Sequence, residues 1–295
     1  LHRVDRRQRQ MCIRDSALLA PQGPLAGRPI SRVIATHMHP DHVGMAGWLT
    51  RRFECALWMT RDEYLSCRVM LADTGREAPV DGVRFYRRAG WSDTEVDEYR
   101  TRFGDFGKMI HPLPDSFVRL TDGQMLRIGD QEWEVIVGTG HSPEHACFYS
   151  RELDLLISGD QVLPRISSNT SVYATEPHAN PLQGWLDSID RLMQRVPGSA
   201  LILPAHNEPF HGLHLRLEQL RASTVRGTDR VRQQLAQPLR VIDLVRALYR
   251  SSIVAEQMHL NLSTGETLAH LNYLDQRAEI VSAEDEDGAM RYRLA

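Results

Sequence analysis

The sequence predicts a mixed α/β fold. From Ala17 onward, apolar runs of strand length alternate with stretches of helical periodicity. Reactive side chains repeatedly follow the strand runs, where loops gather functional groups on a rigid scaffold. The bulk numbers agree: 295 residues, 42% of them hydrophobic and 25% charged, are enough for one large core or two unequal ones.

In chain order, residues 1–16 stand apart. Their run LHRVDRRQRQMCIRDS is dense in Arg, has neither helical nor strand periodicity and resembles translated sequencing-adapter sequence, so it is expected to be non-native. Residues 32–35 then read as a buried strand running into His37-Met38-His39-Pro40-Asp41-His42. Small Gly44, Ala46 and Gly47, with apolar Met45, Trp48 and Leu49, predict a helix packed closely on a sheet. Residues 55–59 are the next strand, and Thr60 caps the helix after it. Residues 62–110 read as a helical lid, in which Ser92-Asp93-Thr94-Glu95 is a capping box opening a helix through Phe103.

Strand runs at 117–120, 124–128 and 133–137, broken by Thr121-Asp122-Gly123 and Gly129-Asp130, predict an antiparallel meander. Runs at 146–149 and 153–158 continue the sheet to Gly159-Asp160, and a helix over 182–195 precedes a strand over 200–203 that leads to His206. A polar helix over 212–237 links this part to a C-terminal module. The module reads as helices over 241–249, 254–259 and 266–277, then a hairpin of 280–282 and 290–293 around Asp285-Glu286-Asp287-Gly288, a winged-helix pattern. The expected division is a main domain over 17–220, a linker helix over 221–237 and a winged-helix-like domain over 238–295.

Composition narrows the partners. The net charge of −3 comes without a basic block, and residues 238–295 carry nine acidic residues against six arginines, so nucleic acid is not favoured. The C-terminal module is expected to pack on the main domain or on a second copy in a homodimer. Cys12, Cys55, Cys67 and Cys147 form no CxxC pair, which argues against a disulfide framework and for a reducing, cytoplasmic setting. No apolar run approaches the roughly 20 residues that span a bilayer.

The chemistry concentrates in His37-x-His39-x-Asp41-His42. In extended backbone His37 and His39 point the same way, as two ligands of one metal must, while Asp41 and His42 at the turn into the helix face a second metal beside it. Imidazole suits zinc at about 2.0–2.1 Å, and a catalytic zinc keeps one position open for water. Three later signals each end a strand: Gly140-His141-Ser142-Pro143-Glu144-His145, Ser158-Gly159-Asp160, and Leu203-Pro204-Ala205-His206. A lone histidine would carry little weight; this ordered set carries much.

The order and context of these motifs resemble the metallo-β-lactamase superfamily over roughly residues 25–220. The resemblance implies an αββα sandwich. It implies one zinc on His37, His39 and His141, a second on Asp41, His42 and His206, and Asp160 bridging the two, with iron or manganese as alternative metals. The bridging aspartate favours the glyoxalase II, lactonase and ribonuclease groups over β-lactam cleavage. Catalysis would fall to Asp41 and Asp160: the two ions lower the pKa of a shared water from about 15.7 towards 7, and Asp41 orients it. His145 is expected to support the ligands from behind. In this superfamily several strands precede the first motif, and only about twenty plausible residues do so here, so the resemblance implies an N-terminally truncated sandwich with exposed sheet edges.

Substrate selection is less legible. The lid carries Tyr86, Trp91, Tyr99, Phe103, Phe106 and Met109, which either line an apolar pocket for a small-molecule substrate or bury the lid on the sheet. Tyr99, Phe103, Ser168, Asn169 and His178 are the candidate substrate contacts. The leading expectation is hydrolysis of a small ester, thioester or lactone. Zinc-dependent cleavage of RNA, iron-dependent oxidation of the persulfide dioxygenase kind, and an inactive truncated fragment remain as alternatives. The module around Gly265-Glu266-Thr267-Leu268-Ala269-His270 resembles the winged helix appended to β-lactamase-like endoribonucleases and related hydrolases.

Overall fold

The computed structural model describes residues 17, 19–23, 25–250 and 256–295. The expectation for residues 1–16 lies outside the described residues, as does the start of the helix expected over 254–259.

Two sheets form the centre. Strands β1 (Arg32–Ile34), β2 (Ala56–Thr60) and β3 (Val118–Leu120) make an all-parallel sheet in that order. Strands β4 (Met125–Ile128), β5 (Gln131–Gly138), β6 (His145–Ser150), β7 (Leu155–Gly159) and β8 (Leu201–Pro204) make the second, antiparallel except for the parallel pair β7 and β8. Alternation along each strand sorts side chains into layers. Trp133, Val135 and Val137 of β5 and Phe148 of β6 point to the space between the sheets, where Leu120 and Trp58 of the first sheet meet them. Ile136, Cys147 and Tyr149 point the other way, to the helices.

Helices α1 (Pro40–Val43), α2 (Ala46–Phe53) and α3 (Arg61–Ala72) follow the first motif, and Ala46, Tyr64 and Cys67 cover Leu57 and Met59 on the outer face of the first sheet. The lid contributes α4 (Val80–Arg88) and α5 (Asp93–Arg102), the latter opened by the expected Ser92 and Glu95 capping box. Helices α6 (Pro181–Arg195) and α7 (Leu213–Gln234) cover the second sheet. Trp185, Ile189 and Leu192 on one, and Leu213, Leu217 and Leu220 on the other, repeat at the i, i+4, i+7 spacing of a buried helical stripe. Each such buried leucine or isoleucine contributes roughly 1.5–3 kcal/mol. The layers are therefore helix, sheet, sheet, helix.

The C-terminal part comprises α8 (Val241–Leu248), α9 (Gln257–Asp275) and a small sheet in which β9 (Leu239–Arg240) and β10 (Ile280–Glu284) flank β11 (Met290–Leu294). The expected hairpin is present, closed by Asp285, whose Oδ1 accepts the backbone N–H groups of Asp287 and Ala289 at 3.0 Å. No helix among the described residues is long and apolar enough to cross a membrane.

Three expectations are corrected. The run at 117–120 is not the first strand of a meander: β3 pairs in parallel with β2, and Thr121-Asp122-Gly123 carries the chain from one sheet to the other. Asp122 holds that crossing by accepting the Val137 N–H at 2.8 Å. Residues 257–275 form one helix rather than two, because Ser263 and Thr264 turn their hydroxyls back onto the His259 and Leu260 carbonyls instead of capping a new start. The lid aromatics neither line an open pocket nor all rest on the sheet. Tyr86 and Trp91 are buried against α8 and α9, Tyr86 donating to Asn261 at 2.7 Å and Trp91 to Thr264 at 3.1 Å, while Phe106 and Met109 pack near the first sheet.

Candidate metal centre

Strand ends deliver the site. Beyond β1 the chain runs through Thr36, His37, Met38 and His39, and Pro40 at the start of α1 presets the helical φ, placing Asp41 and His42 in that helix's single turn. Strands β5, β7 and β8 run in one direction, and His141, Asp160 and His206 follow their C-terminal ends.

The structure brings all seven expected ligands together. Atoms of His37, His39, His141 and Asp160 lie within 4.8 Å of one another, as do atoms of Asp41, His42 and His206. Asp160 stands between the groups. Its Oδ2 is 3.5 Å from His141 Nε2, 3.8 Å from His37 Nε2 and 3.3 Å from His42 Nε2, while its Oδ1 is 3.4 Å from His206 Nε2. Asp41 Oδ2 lies 3.3 Å from His206 Nε2 and 3.6 Å from His42 Nε2. In the first group His37, His141 and Asp160 are buried and His39 is partly so; the second opens to solvent through Asp41 and His206, with side-chain exposures of 56% and 43%, while the His42 side chain is largely covered.

Backbone geometry fixes Asp160. Gly159 has φ 51°, and a β-carbon there would fall 2.5 Å from His145 Cε1, so only glycine fits on both counts. The fully buried His145 accepts the Asp160 backbone N–H at its Nε2, 3.0 Å away, and so holds Asp160 in place from outside both groups.

Burial and crowding set the charge states. Burial, then neighbouring imidazoles, hold His37 and His145 far below the ordinary histidine range, and burial with His141 lowers His39 to about 4. Burial opposes ionisation of Asp160, but His141 and His42 outweigh it and keep the carboxyl well below the usual range. Burial also works against charge on His42, and there Asp160 prevails and raises its pKa. His37 and His39 are thus neutral imidazoles beside a carboxylate, the protonation states that metal binding requires.

The residues fit a metal. His42 Nε2, His141 Nε2 and Asp160 Oδ1 are buried without a hydrogen-bond partner, a cost of about 1–3 kcal/mol per atom if nothing accepts their lone pairs. Nitrogen and carboxylate donors of this kind suit zinc, and also iron or manganese. Partners behind the histidines orient them: His141 Nδ1 donates to the Asn169 carbonyl at 2.8 Å, which fixes that ring's tautomer, and His37 Nδ1 meets Thr36 Oγ1 at 3.0 Å, leaving the Nε2 atoms facing Asp160.

Glu63, which the sequence reading missed, ties the two buried loops together. With no exposure at all, it accepts the Met38 N–H at 2.8 Å through Oε2 and the Glu144 N–H at 2.9 Å through Oε1. The candidate substrate contacts fall elsewhere. Ser168 donates to the Asp160 carbonyl, and Asn169 is engaged by Ser171 and Glu266. Tyr99 packs on Tyr86 and Phe103 within the lid, and His178 lines a cavity of about 470 Å³ between α4 and the C-terminal part.

A family model for the metallo-beta-lactamase superfamily matches residues 14–206, and one for the metallo-beta-lactamase-like C-terminal domain matches residues 228–295. A beta-lactamase domain protein from Burkholderia ambifaria superimposes with a TM-score of 0.83 at 35% identity, over 94% of this chain and 78% of that one. A metallo-beta-lactamase family protein from Thermus thermophilus shares the fold with a TM-score of 0.74 at 24% identity, over 90% and 80% of the two chains. Among curated relatives, an acyl-coenzyme A thioesterase of Gallus gallus is 28% identical over 67% of this chain and 64% of its own length. An atrochrysone carboxyl ACP thioesterase of Aspergillus fumigatus is 27% identical over 61% of this chain and 41% of its own. An uncharacterized protein of Aquifex aeolicus is 25% identical over 59% and 66%. The chain thus spans two-thirds or less of these curated relatives. With a family model covering most of its length and the fold built around a His/Asp cluster able to bind metal, the chain belongs to the metallo-β-lactamase superfamily.

Proposed function

We propose that this chain is a dinuclear zinc-dependent hydrolase of a small ester, thioester or lactone, with thioesters the first class to test. The observation that carries the reading is Asp160, whose two carboxylate oxygens face both ligand groups at 3.3–3.8 Å. The thioesterase names of two relatives support the substrate class. In this reading His37, His39 and His141 hold one ion, Asp41, His42 and His206 hold the other, and Asp160 holds both. When bound, the ions supply a water of lowered pKa and an electrophile for the substrate carbonyl. Asp41, on the open side, orients the attacking water and takes its proton. The buried histidines stay neutral and in place, and the exposed edge at His206 admits the acyl group.

Metal content of the wild type and of Asp160→Ala, with turnover of an acyl-CoA and of a fluorescent RNA measured in parallel, tests this. About two zinc ions per chain, lost in the variant together with thioester hydrolysis, is the expected result. A folded wild type that binds no metal, or one that cleaves RNA and leaves the thioester intact, overturns it.

A further inference from the structure

The His141 loop does not hold itself in place. His141 Nδ1 donates to the backbone carbonyl of Asn169, so the ring is aimed as well as that carbonyl is fixed. Asn169 is clamped from two sides: its Oδ1 accepts the Ser171 hydroxyl, and its Nδ2 donates to Glu266 Oε2 at 3.4 Å. Glu266 lies on α9, in the C-terminal part, where Tyr249 at the end of α8 also bonds it.

The adjoining contacts show that α9 sits on this segment by construction. The Val172 N–H donates to the Gly265 carbonyl at 3.1 Å, and the Ser171 hydroxyl reaches the Leu262 carbonyl at 3.3 Å. A glycine inside a helix costs about 1 kcal/mol relative to alanine. At 265 that residue permits close approach, since a β-carbon there would lie 2.8 Å from Ser171 Cβ and 2.9 Å from the Val172 carbonyl oxygen. Thr170, Ser171 and Val172 are all buried beneath the helix.

We propose that Glu266 is a positioning residue for the metal centre, acting through Asn169 on His141, so that the C-terminal part is a working component of the site. The inference rests on the reading of His141 as a metal ligand. Glu266 touches neither metal nor substrate. It holds the amide of Asn169, and with it the carbonyl that selects the His141 tautomer and aims Nε2 at Asp160.

The test compares full-length wild type, Glu266→Ala and Glu266→Gln by cobalt titration against a competing chelator, with the visible spectrum of the bound ion and the melting of metal-free protein as further readouts. Loss of the clamp is expected to weaken one of the two cobalt sites about tenfold, the lower end of what outer partners of metal ligands contribute, and to alter its visible band. Glu266→Gln keeps an oxygen for Asn169 and is expected to restore both, while the three metal-free proteins melt alike. Wild-type affinity and spectrum in Glu266→Ala overturn the inference. So does an equal loss in both variants accompanied by lower metal-free melting, which would make Glu266 merely structural. A wild type that takes up no cobalt overturns the metal reading itself.

Discussion

The two halves of the ligand cluster are built differently. His37, His141 and Asp160 are buried and His39 is partly so; they are aimed by Thr36, Asn169 and His145, and the loops carrying His39 and His141 are tied by the carboxylate of Glu63, which water does not reach. Asp41 and His206 lie at the open edge, with His42 largely covered behind them. Across that edge, the loops after β7 and β8 are tied by an ion pair between Arg165 and Glu208, with Nε 3.0 Å from Oε1 and both side chains more than half exposed. The buried half is preorganised and the open half adjustable, which in the proposed dinuclear reading would suit holding one ion permanently while the other meets substrate.

Removing one ligand from each half breaks the comparison most directly. His141→Ala is expected to empty the buried group and to lower thioester turnover beyond the about 10–100-fold typical of losing an outer partner. His206→Ala is expected to keep the buried ion and fold unchanged, losing the open ion and most turnover. Metal per chain and thioester kinetics read both, and loss of both ions from His206→Ala would show that the halves are not independent.

Next comes the tie beneath the buried half. Glu63→Gln keeps the shape but leaves one of the Met38 and Glu144 N–H groups facing an amide NH2, at a cost of about 1–3 kcal/mol for a buried donor without an acceptor. Denaturant unfolding of the metal-free protein measures this, and an unchanged midpoint would mean that the loops stay in place without the tie.

That tie also marks the limit of what was legible. That the seven candidate ligands come together could be read because a dense HxHxDH pattern and three strand-end partners occur in order, and each residue type has few other reasons to stand there. The layered α/β architecture was legible through its periodicity. Glu63 was not: an acidic residue in the first turn of a helix is what the helix dipole favours anyway, so nothing distinguishes it until the loops close over it. The Asn169 carbonyl has no sequence signature at all, being backbone. The sheet membership of β3 was misread because a Thr-Asp-Gly turn is a local signal that tertiary pairing overrode, and the continuity of α9 because the Ser263 and Thr264 hydroxyls bond back into the helix, which residue types alone do not reveal.

Acid is expected to sharpen the comparison, by up to about a factor of ten per pH unit for a single competing proton. His37 and His39 have lowered pKa values, about 4 for His39, so they stay neutral as pH falls from 7.5 to 5.5 and bind metal without proton competition. His42 has a raised pKa, because Asp160 outweighs the effect of burial, so in this window protons increasingly compete for its Nε2. The open ion is therefore expected to leave first on acidification. Metal affinity followed between pH 7.5 and 5.5 checks the order, and simultaneous release of both ions would contradict it.

The smallest effect is expected at the exposed tie. Arg165→Ala removes the pair with Glu208, whose carboxyl is held below its usual range chiefly by that arginine's hydrogen bonds. Exposed pairs contribute little and are screened by salt, so metal affinity of the open group should change by no more than about twofold. The change should disappear at high ionic strength, whereas the consequence of Glu63→Gln should not, because that carboxylate is out of reach of solvent ions. Salt dependence thus separates the two ties even where their effects on turnover overlap. An Arg165→Ala defect that persists in high salt would mean that the arginine holds the loop after Asp160 by packing along its stem rather than by charge.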